Sequence, residues 1–168
     1  MAERLKPGER RATAPNRETG MSWVTVSREE AHAHPKGQLN WLIYLIIVYF
    51  AVVAGLKAWV VTQFGGGALL MLGASVLPLL TAGLLWLRAA LARVLVVASG
   101  ILTVFQTMNS GFRGLAELGM GSALYGLAEI VIILVITIYM WEGERPNLIY
   151  ANRYRRYEGT DTPGDEAS

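Results

Sequence analysis

Four long apolar runs constrain the fold of this chain more than any other feature. They cover residues 41–63, 68–87, 90–109 and 121–141. A helix needs about 20 mainly apolar residues to cross roughly 30 Å of hydrocarbon, and each run reaches that length. Helices are favoured over strands because the runs are continuous rather than alternating, and because a backbone in lipid must satisfy its own hydrogen bonds. The sequence therefore predicts an all-α membrane protein with four transmembrane helices.

The distribution of Lys and Arg predicts the orientation of these helices. Seven basic residues precede the first run and four follow the last, whereas the two connections on the opposite side contain only Arg113. Arg88 and Arg93 lie where the second run meets the third. Positive side chains are retained on the cytoplasmic side, and short connections favour antiparallel neighbours. We therefore expect an antiparallel bundle with both termini in the cytoplasm.

The composition divides the chain into four segments. They are a disordered cytoplasmic segment (1–26), an interfacial lead-in (27–40), the transmembrane domain (41–141) and a basic, aromatic cytoplasmic tail (142–168) whose end is disordered. Met21 offers an alternative start. In the lead-in, Ser27 precedes Glu29 and Glu30, a pattern typical of a short capped helix.

Turn residues separate the runs. Gly65–Gly67 predicts a turn after the first run, and the segment Asn109–Gly114 predicts a loop after the third. Pro78 lies within the second run and removes an amide donor, so we expect a kink there.

The composition also excludes several kinds of chemistry. The chain has no cysteine, which rules out thiol redox catalysis, iron–sulfur ligation and Cys-based zinc sites. Its two histidines, His32 and His34, precede the first run, so no imidazole is available to ligate a haem within the membrane. A His-x-His pair without a third ligand favours ordinary solvated side chains over a metal site. We predict no cofactor and no metal, and the lack of any catalytic motif argues against an enzyme.

Lys57 and Glu129 are the ionisable residues that matter most within the runs. Ionisable groups at such depth cost about 2.5 to 3.5 kcal/mol each, which makes them candidate functional residues. From the rise of a helix, they lie roughly 9 and 12 Å below the outer surface, close enough in depth to pair. For Lys57 we favour snorkelling of its long stem towards the outer headgroups over pairing. Glu129 is the stronger candidate because its side chain is shorter and deeper, and a neutral, protonated form stays open.

Two further stripes mark helix faces. Ala51, Gly55, Ala58 and Thr62 form a small-residue stripe on helix one that would pack closely against a neighbouring helix. Ser99, Thr103, Gln106 and Ser110 recur at spacings that place them on one face of helix three. For this polar face we favour ordinary interhelical hydrogen bonding over the wall of a polar cavity shared with Glu129.

The tail after the last run interleaves arginine with tyrosine. Its contact residues are Arg145, Tyr150, Arg153, Tyr154, Arg155, Arg156 and Tyr157. A tail tethered this close to a membrane meets lipid first, and anionic headgroups attract basic residues near the surface. The favoured role is therefore topology setting with contact to anionic lipid. Docking of a cytoplasmic partner is the alternative, and nucleic acid is disfavoured.

The junctions at the two ends of the helical region resemble those of a known family. The stretch Ala33-His34-Pro35-Lys36-Gly37 leading into Trp41-Leu42, and Tyr154-Arg155-Arg156 after the last run, resemble the bacterial four-helix membrane proteins of the domain-of-unknown-function family 2569. That family tends to show Gly-Gly-Trp-Leu where this chain has Leu39-Asn40-Trp41-Leu42. The resemblance implies a bacterial inner membrane and supplies no activity.

The leading functional hypothesis is a non-enzymatic accessory or assembly subunit, or a homo-oligomer, that acts by helix association. It rests on the small-residue stripe and on the absence of catalytic motifs. The alternative is a small ion- or proton-coupled transporter that uses Glu129, and a membrane enzyme of unrecognised type comes third.

Overall fold

The chain is described here from a computed structural model. It describes residues 6, 8–16, 19–64, 75–118 and 120–157, without the side chains of residues 64, 109–123, 125 and 157. The chain divides into two compact units. We name them the helical unit (Leu39–Gly143) and the terminal unit (Met1–Gln38 with Glu144–Ser168).

The described residues are mostly helical. In chain order the helices are α1 (Arg28–Ala33), α2 (Trp41–Phe64), α3 (Leu77–Trp86), α4 (Leu91–Leu118), α5 (Met120–Glu142) and α6 (Glu144–Ala151), with a 3-10 turn at Pro35–Gly37. The strands are β1 (Arg11–Ala12), β2 (Met21–Thr25) and β3 (Arg153–Tyr157). Helices α2 to α5 make up the helical unit.

Two helical segments are long and apolar enough to be candidate membrane spans. They are Pro35–Gln63 and Leu91–Met108. A third candidate appears if Gly126–Glu142 and Glu144–Ala151 count as one interrupted span. In the second run, the described helix Leu77–Trp86 is apolar but shorter than a membrane span. Residues 65–74 lie outside the described residues, and so does the turn predicted at Gly65–Gly67.

Helices α4 and α5 pack antiparallel along their length. The early part of α4 meets the late part of α5, since a Cβ at Gly100 would lie 3.3 Å from Thr137 Oγ1 and 3.4 Å from Ile133 Cγ1. Further along, a Cβ at Gly126 would lie only 2.6 Å from Thr107 Cγ2. Both glycines therefore permit a close approach that a larger side chain would prevent.

The end of the third run differs from the sequence prediction. We expected a loop at Asn109–Gly114, but α4 continues through this segment to Leu118. Helical hydrogen bonding outweighs the weak turn preference of isolated Gly, Ser and Asn residues. Phe112, Leu115 and Leu118 also continue the apolar helical spacing.

The second run is irregular at both ends of its described part. Ser75 and Val76 form a π-helical turn directly before α3, in which Pro78 occupies the first turn rather than the middle. Proline is tolerated there because the amide at that position has no helical partner. Just after the end of α3, Arg88 has a left-handed φ of 53°, and the Ala89 amide donates to the Leu84 carbonyl. This is the usual reversal at a helix C-terminus.

A small sheet in the terminal unit was not predicted. Strands β1, β2 and β3 pair antiparallel in that order, with Trp23 opposite Arg155 and Val24 opposite Tyr154. Residues 11–12 and 21–25 are therefore ordered strands, and the expectation of disorder across 1–26 is wrong for them. The tail supplies the third strand, and its expected disordered end, 158–168, lies outside the described residues.

One face of this sheet covers the core of the terminal unit. Val24 and Val26 from the β2 region pack with Ala31 of α1 and Leu148 of α6, all less than 5% exposed. Helix α1 begins where the sequence predicts, because Ser27 Oγ accepts a hydrogen bond from the Glu30 amide at 3.3 Å. The cap and the apolar contacts together fix α1 against the sheet.

Candidate functional site

Lys57 and Glu129 meet inside the helical unit. Lys57 Nζ lies 3.2 Å from Glu129 Oε1, and it also donates to Gln106 Oε1 at 3.4 Å. Only 23% of the Lys57 side chain and 13% of the Glu129 side chain are exposed. Helices α2, α4 and α5 thus each contribute one polar side chain to a single cluster, which we name the interhelical polar cluster.

The inward faces of α2 and α5 place this pair. On α2, Ile46, Phe50 and Ala54 are buried at helical spacing, and Lys57 continues the same face one turn further. On α5, Ile133 and Ile136 extend the face that begins at Glu129. The prediction that Glu129 looks inward agrees with this arrangement.

The preference for snorkelling of Lys57 is not what the structure shows. The lysine turns into the bundle because an opposite charge and a side-chain carbonyl acceptor lie within reach. A buried charge without such partners would be costly, so pairing offsets part of the burial of both residues. The pairing was the alternative that the sequence left open.

The polar face of α4 serves mainly to link helices. Ser99 is 3% exposed, and its hydroxyl shares a hydrogen bond of 3.1 Å with Thr81 of α3. Thr103 is also buried, and Gln106 accepts from Lys57. The side chain of Ser110 lies outside the described residues. The favoured interpretation, interhelical hydrogen bonding, therefore fits Ser99 and Gln106.

Arg93 occupies a buried position that the sequence did not single out. Its Nη2 donates to the Trp141 carbonyl at 3.1 Å, and its guanidinium lies 4.9 Å from the centre of the Trp141 ring. Sequence reasoning used Arg93 only as a topology signal. Its position in the first turn of α4, level with an aromatic residue at the end of α5, could have suggested this contact.

The small-residue stripe of α2 lies outside the packed face of this helix, as far as the described residues show. Ala51, Gly55 and Thr62 are exposed and Ala58 is partly exposed. A Cβ at Gly55 would meet nothing within 4 Å in the described part of the chain. The inward face of α2 is instead the apolar face that ends at Lys57. Among the described residues, the stripe therefore lies on the outside of α2.

An apolar groove lies between α2 and α5. Its volume is about 680 Å³, and Leu45 and Val52 of α2 face Val131 and Val135 of α5 across it. Large apolar side chains are also exposed around the helical unit, among them Ile101 at 67% and Phe105 at 64%. Exposed apolar surface of this extent is typical of a lipid-facing or partner-facing protein.

The tail residues are distributed over both sides of the sheet of the terminal unit. Two arginines stack on the ring of Trp23. The guanidinium of Arg153 lies 4.3 Å from the ring centre and that of Arg155 lies 5.0 Å from it. Residues that are opposite in register share a face, so Arg11 and Thr25 lie on this face too. We name Arg11, Trp23, Thr25, Arg153 and Arg155 the Trp–Arg face.

The other predicted tail contacts have different surroundings. Tyr150 is 2% exposed and belongs to the interior, so it cannot contact lipid headgroups as predicted. Tyr154 packs against the core of the terminal unit, and Arg145 is partly exposed on α6. Arg156 is exposed on the face opposite Arg155, and the side chain of Tyr157 lies outside the described residues.

The terminal unit also contains a polar cavity of about 490 Å³. Two ion pairs line it, Arg10 with Glu30 at 2.7 Å and Lys36 with Glu144 at 3.2 Å. The hydrogen bonds from Arg10 to the Glu30 carboxylate raise the pKa of Arg10. Each cation in these pairs already has a carboxylate partner. The two pairs therefore contribute no net charge that could attract a ligand to the cavity.

The two histidines take part in local hydrogen bonds. His34 Nδ1 accepts from the Lys36 amide at 3.1 Å, and His32 Nε2 lies 3.3 Å from the Ile149 carbonyl oxygen. Within the described ranges, no three His, Asp or Glu side chains form a group that could hold a metal ion.

Comparison with known proteins adds no further constraint. No protein-family model matches this chain, and neither a curated protein nor a solved structure matches it significantly.

Proposed function

We propose that the chain is a four-span protein of the bacterial inner membrane with both termini in the cytoplasm. Two to three described helices qualify as candidate spans, and the second run adds a fourth apolar stretch. The helical unit also buries Thr81 and Ser99 and leaves only 13% of the Glu129 side chain exposed, while it exposes large apolar side chains. That distribution favours lipid as the solvent of its surface. The bacterial location rests on the family resemblance of the two junctions.

Within the membrane, the protein acts by helix association, as a homo-oligomer or as an accessory subunit of a larger complex. The observation that carries this proposal is the exposed small-residue stripe of α2. Small residues let two helices approach closely, which favours van der Waals packing where no hydrophobic force drives association. Gly55 lies near the middle of this surface, and no described residue comes within 4 Å of its Cβ position.

The test is the mass of the full-length protein after extraction in a mild detergent. The proposal predicts a particle larger than one chain, formed by several copies or with a co-purifying protein. Gly55→Leu should weaken the assembly about 10-fold or more, because a bulky side chain separates the helices at a cost of roughly 1 to 3 kcal/mol.

Gly83→Leu provides the matched control. Gly83 is also a helical glycine with nothing within 4 Å of its Cβ position, but it lies on α3, away from the stripe. The same added volume should leave the mass of the particle unchanged. A strictly monomeric wild-type particle would contradict the proposal, and so would an equal effect of both variants.

The interhelical polar cluster supports a second candidate function, that of a small ion- or proton-coupled transporter. Glu129 is ion-paired with Lys57 rather than surrounded only by apolar groups. A carboxylate of this kind within a membrane domain can release its lysine partner and bind a proton or a cation instead. Such binding steps are common in ion-coupled transporters. Helix breaks within paired spans, which often form such sites, were not found in the sequence.

Flux measurements in liposomes separate the two candidates. If the protein is a transporter, Glu129→Gln abolishes a cation-dependent flux that the wild type supports. If association is the function, neither the wild type nor Glu129→Gln supports flux. The mass of the oligomer then decreases with Gly55→Leu, whereas Glu129→Gln changes this mass only if it destabilises the fold.

A further inference from the structure

The Trp–Arg face concentrates positive charge beside an indole ring. Arg11 projects from β1 and Arg153 and Arg155 project from β3, on either side of β2. The guanidinium groups of Arg153 and Arg155 stack on Trp23 of β2. The opposite face of the sheet is the one that packs on Ala31 and Leu148. The charged face is therefore the one that the core of the terminal unit leaves uncovered.

Stacking holds the arginines in a defined geometry. Arg153 also donates from Nε to Asn147 Oδ1 at 3.0 Å, and Asn147 is fully buried. A guanidinium has five N–H donors in a planar fork, so one that stacks and donates once still presents donors to an oxyanion. Phosphate is the oxyanion that this fork fits best.

Short junctions connect the terminal unit to two hydrophobic helices, α2 and α5. The terminal unit ends at Gln38, three positions before α2 begins, and resumes at Glu144 directly after Gly143. Three residues span at most about 10 Å. Indole rings and arginines are both favoured at the level of lipid headgroups.

We propose that the Trp–Arg face binds the phosphate headgroups of anionic phospholipids on the membrane surface. This inference rests on the membrane location proposed above, and it is independent of association through α2. Trp23 lies at the headgroup level, and Arg11, Arg153 and Arg155 contact the phosphates. Docking of the sheet on the membrane then depends on the anionic lipid content and on ionic strength.

Nucleic acid is the other polyanion that arginines and aromatic rings bind. Specific nucleic-acid sites commonly use about 6 to 10 phosphate contacts, and binding falls steeply with salt. Three arginines, one of them 3.8 Å from the Glu9 carboxylate, supply too few contacts for such a site. A tethered sheet needs far less affinity for a surface that is always nearby.

The test follows docking in the full-length chain reconstituted in lipid vesicles. The chain has no cysteine, so Thr25→Cys places a single environment-sensitive label on the Trp–Arg face. Ser22→Cys places the same label on the opposite face of β2. Quenching by a headgroup spin label should be strong at position 25 in vesicles that contain phosphatidylglycerol. It should be weak in pure phosphatidylcholine, at high salt, and at position 22.

Arginine variants assign the effect to the face. Arg155→Gln should lower the docked-to-undocked ratio about 5-fold, which corresponds to about 1 kcal/mol per basic residue near an anionic surface. Arg155→Lys should retain most of the docking. Arg156→Gln is the control, because it removes the same charge from the neighbouring exposed residue on the opposite face. Arg153→Gln is a weaker choice, since losing the bond to Asn147 can unfold the unit.

The outcomes are distinguishable. Equal effects of Arg155→Gln and Arg156→Gln, or indifference to phosphatidylglycerol, would overturn the inference while leaving the membrane location intact. A single-stranded oligonucleotide that shifts the label where phosphatidylglycerol does not would reassign the face to nucleic acid. If the protein fails to float with the vesicles, the membrane location is wrong and the inference falls with it.

Discussion

Lys57 and Glu129 bring opposite charges into a helical unit whose other buried side chains are mainly apolar. Each charge alone would be costly there, and their contact at 3.2 Å compensates part of that cost. Such a pair contributes little net stability compared with apolar residues of similar size, but removal of one partner leaves a charge without compensation. The pair therefore acts as a constraint on how α2 and α5 meet.

A double-mutant cycle measures this constraint. Glu129→Leu alone should lower the free energy of unfolding by about 3 kcal/mol, because Lys57 is left partly buried without its counter-charge. Lys57→Met combined with Glu129→Leu should recover most of the loss. Thermal unfolding of the purified protein in one detergent provides the comparison. Strictly additive single effects would mean that the two side chains do not interact.

At the level of elements, glycine positions decide which helix faces can approach each other. Gly126 lies against Thr107 where α5 crosses α4, whereas Gly55 faces open space in the described part of the chain. The two positions are alike in sequence, since each is a glycine flanked by apolar residues within a helix. Only the packing distinguishes an internal contact from an outward surface.

Gly126→Leu should therefore behave differently from Gly55→Leu. Its side chain would collide with Thr107 and force α4 and α5 apart, at a cost of roughly 1 to 3 kcal/mol in unfolding free energy. Gly55→Leu should leave the stability of the isolated chain within about 0.5 kcal/mol of the wild type, as expected for an exposed position. Thermal unfolding in a detergent that dissociates assemblies tests both, and similar losses for the two variants would show that Gly55 packs internally.

The elements that sequence reasoning identified are those set by local pattern. The starts of α1, α2 and α5 follow from a Ser cap and from long apolar runs. The pairing of β2 with β3 was missed because it joins residues 134 positions apart, such as Ser22 and Arg156, and no local signal specifies a partner at that distance. The loop predicted at Asn109–Gly114 failed for the opposite reason, since weak turn residues yielded to a helix already under way.

The candidate site was predicted only in part, because some of its features follow from local sequence and others depend on how the helices pack. Depth along a helix can be counted from the sequence, so Lys57 and Glu129 were recognised as level. Whether Lys57 points to lipid or to Glu129 depends on the rotation of α2 against α5, which is decided by side-chain packing. Arg93 was missed because its contact with Trp141 depends on the register of α4 against α5.

At the scale of the whole molecule, the proposed four-span topology has both termini on one side of the membrane. Cysteine labelling of intact cells with a membrane-impermeant reagent tests this topology, since the chain has no native cysteine. Gln63→Cys, near the end of α2, should be labelled from outside, and Ser22→Cys should be labelled only after the cells are opened. The reverse pattern would invert the topology, and labelling of both from outside would contradict a membrane-inserted α2.

If the protein acts by helix association, the small-residue stripe of α2 contacts another polypeptide in the membrane. A photoreactive residue placed at position 55 in native membranes tests this contact, with the same residue at position 83 as the control. We expect a crosslinked adduct larger than one chain at position 55 and only lipid adducts at position 83. Adducts to lipid alone at position 55, or an internal crosslink to residues 65–74 of the same chain, would contradict association through this surface.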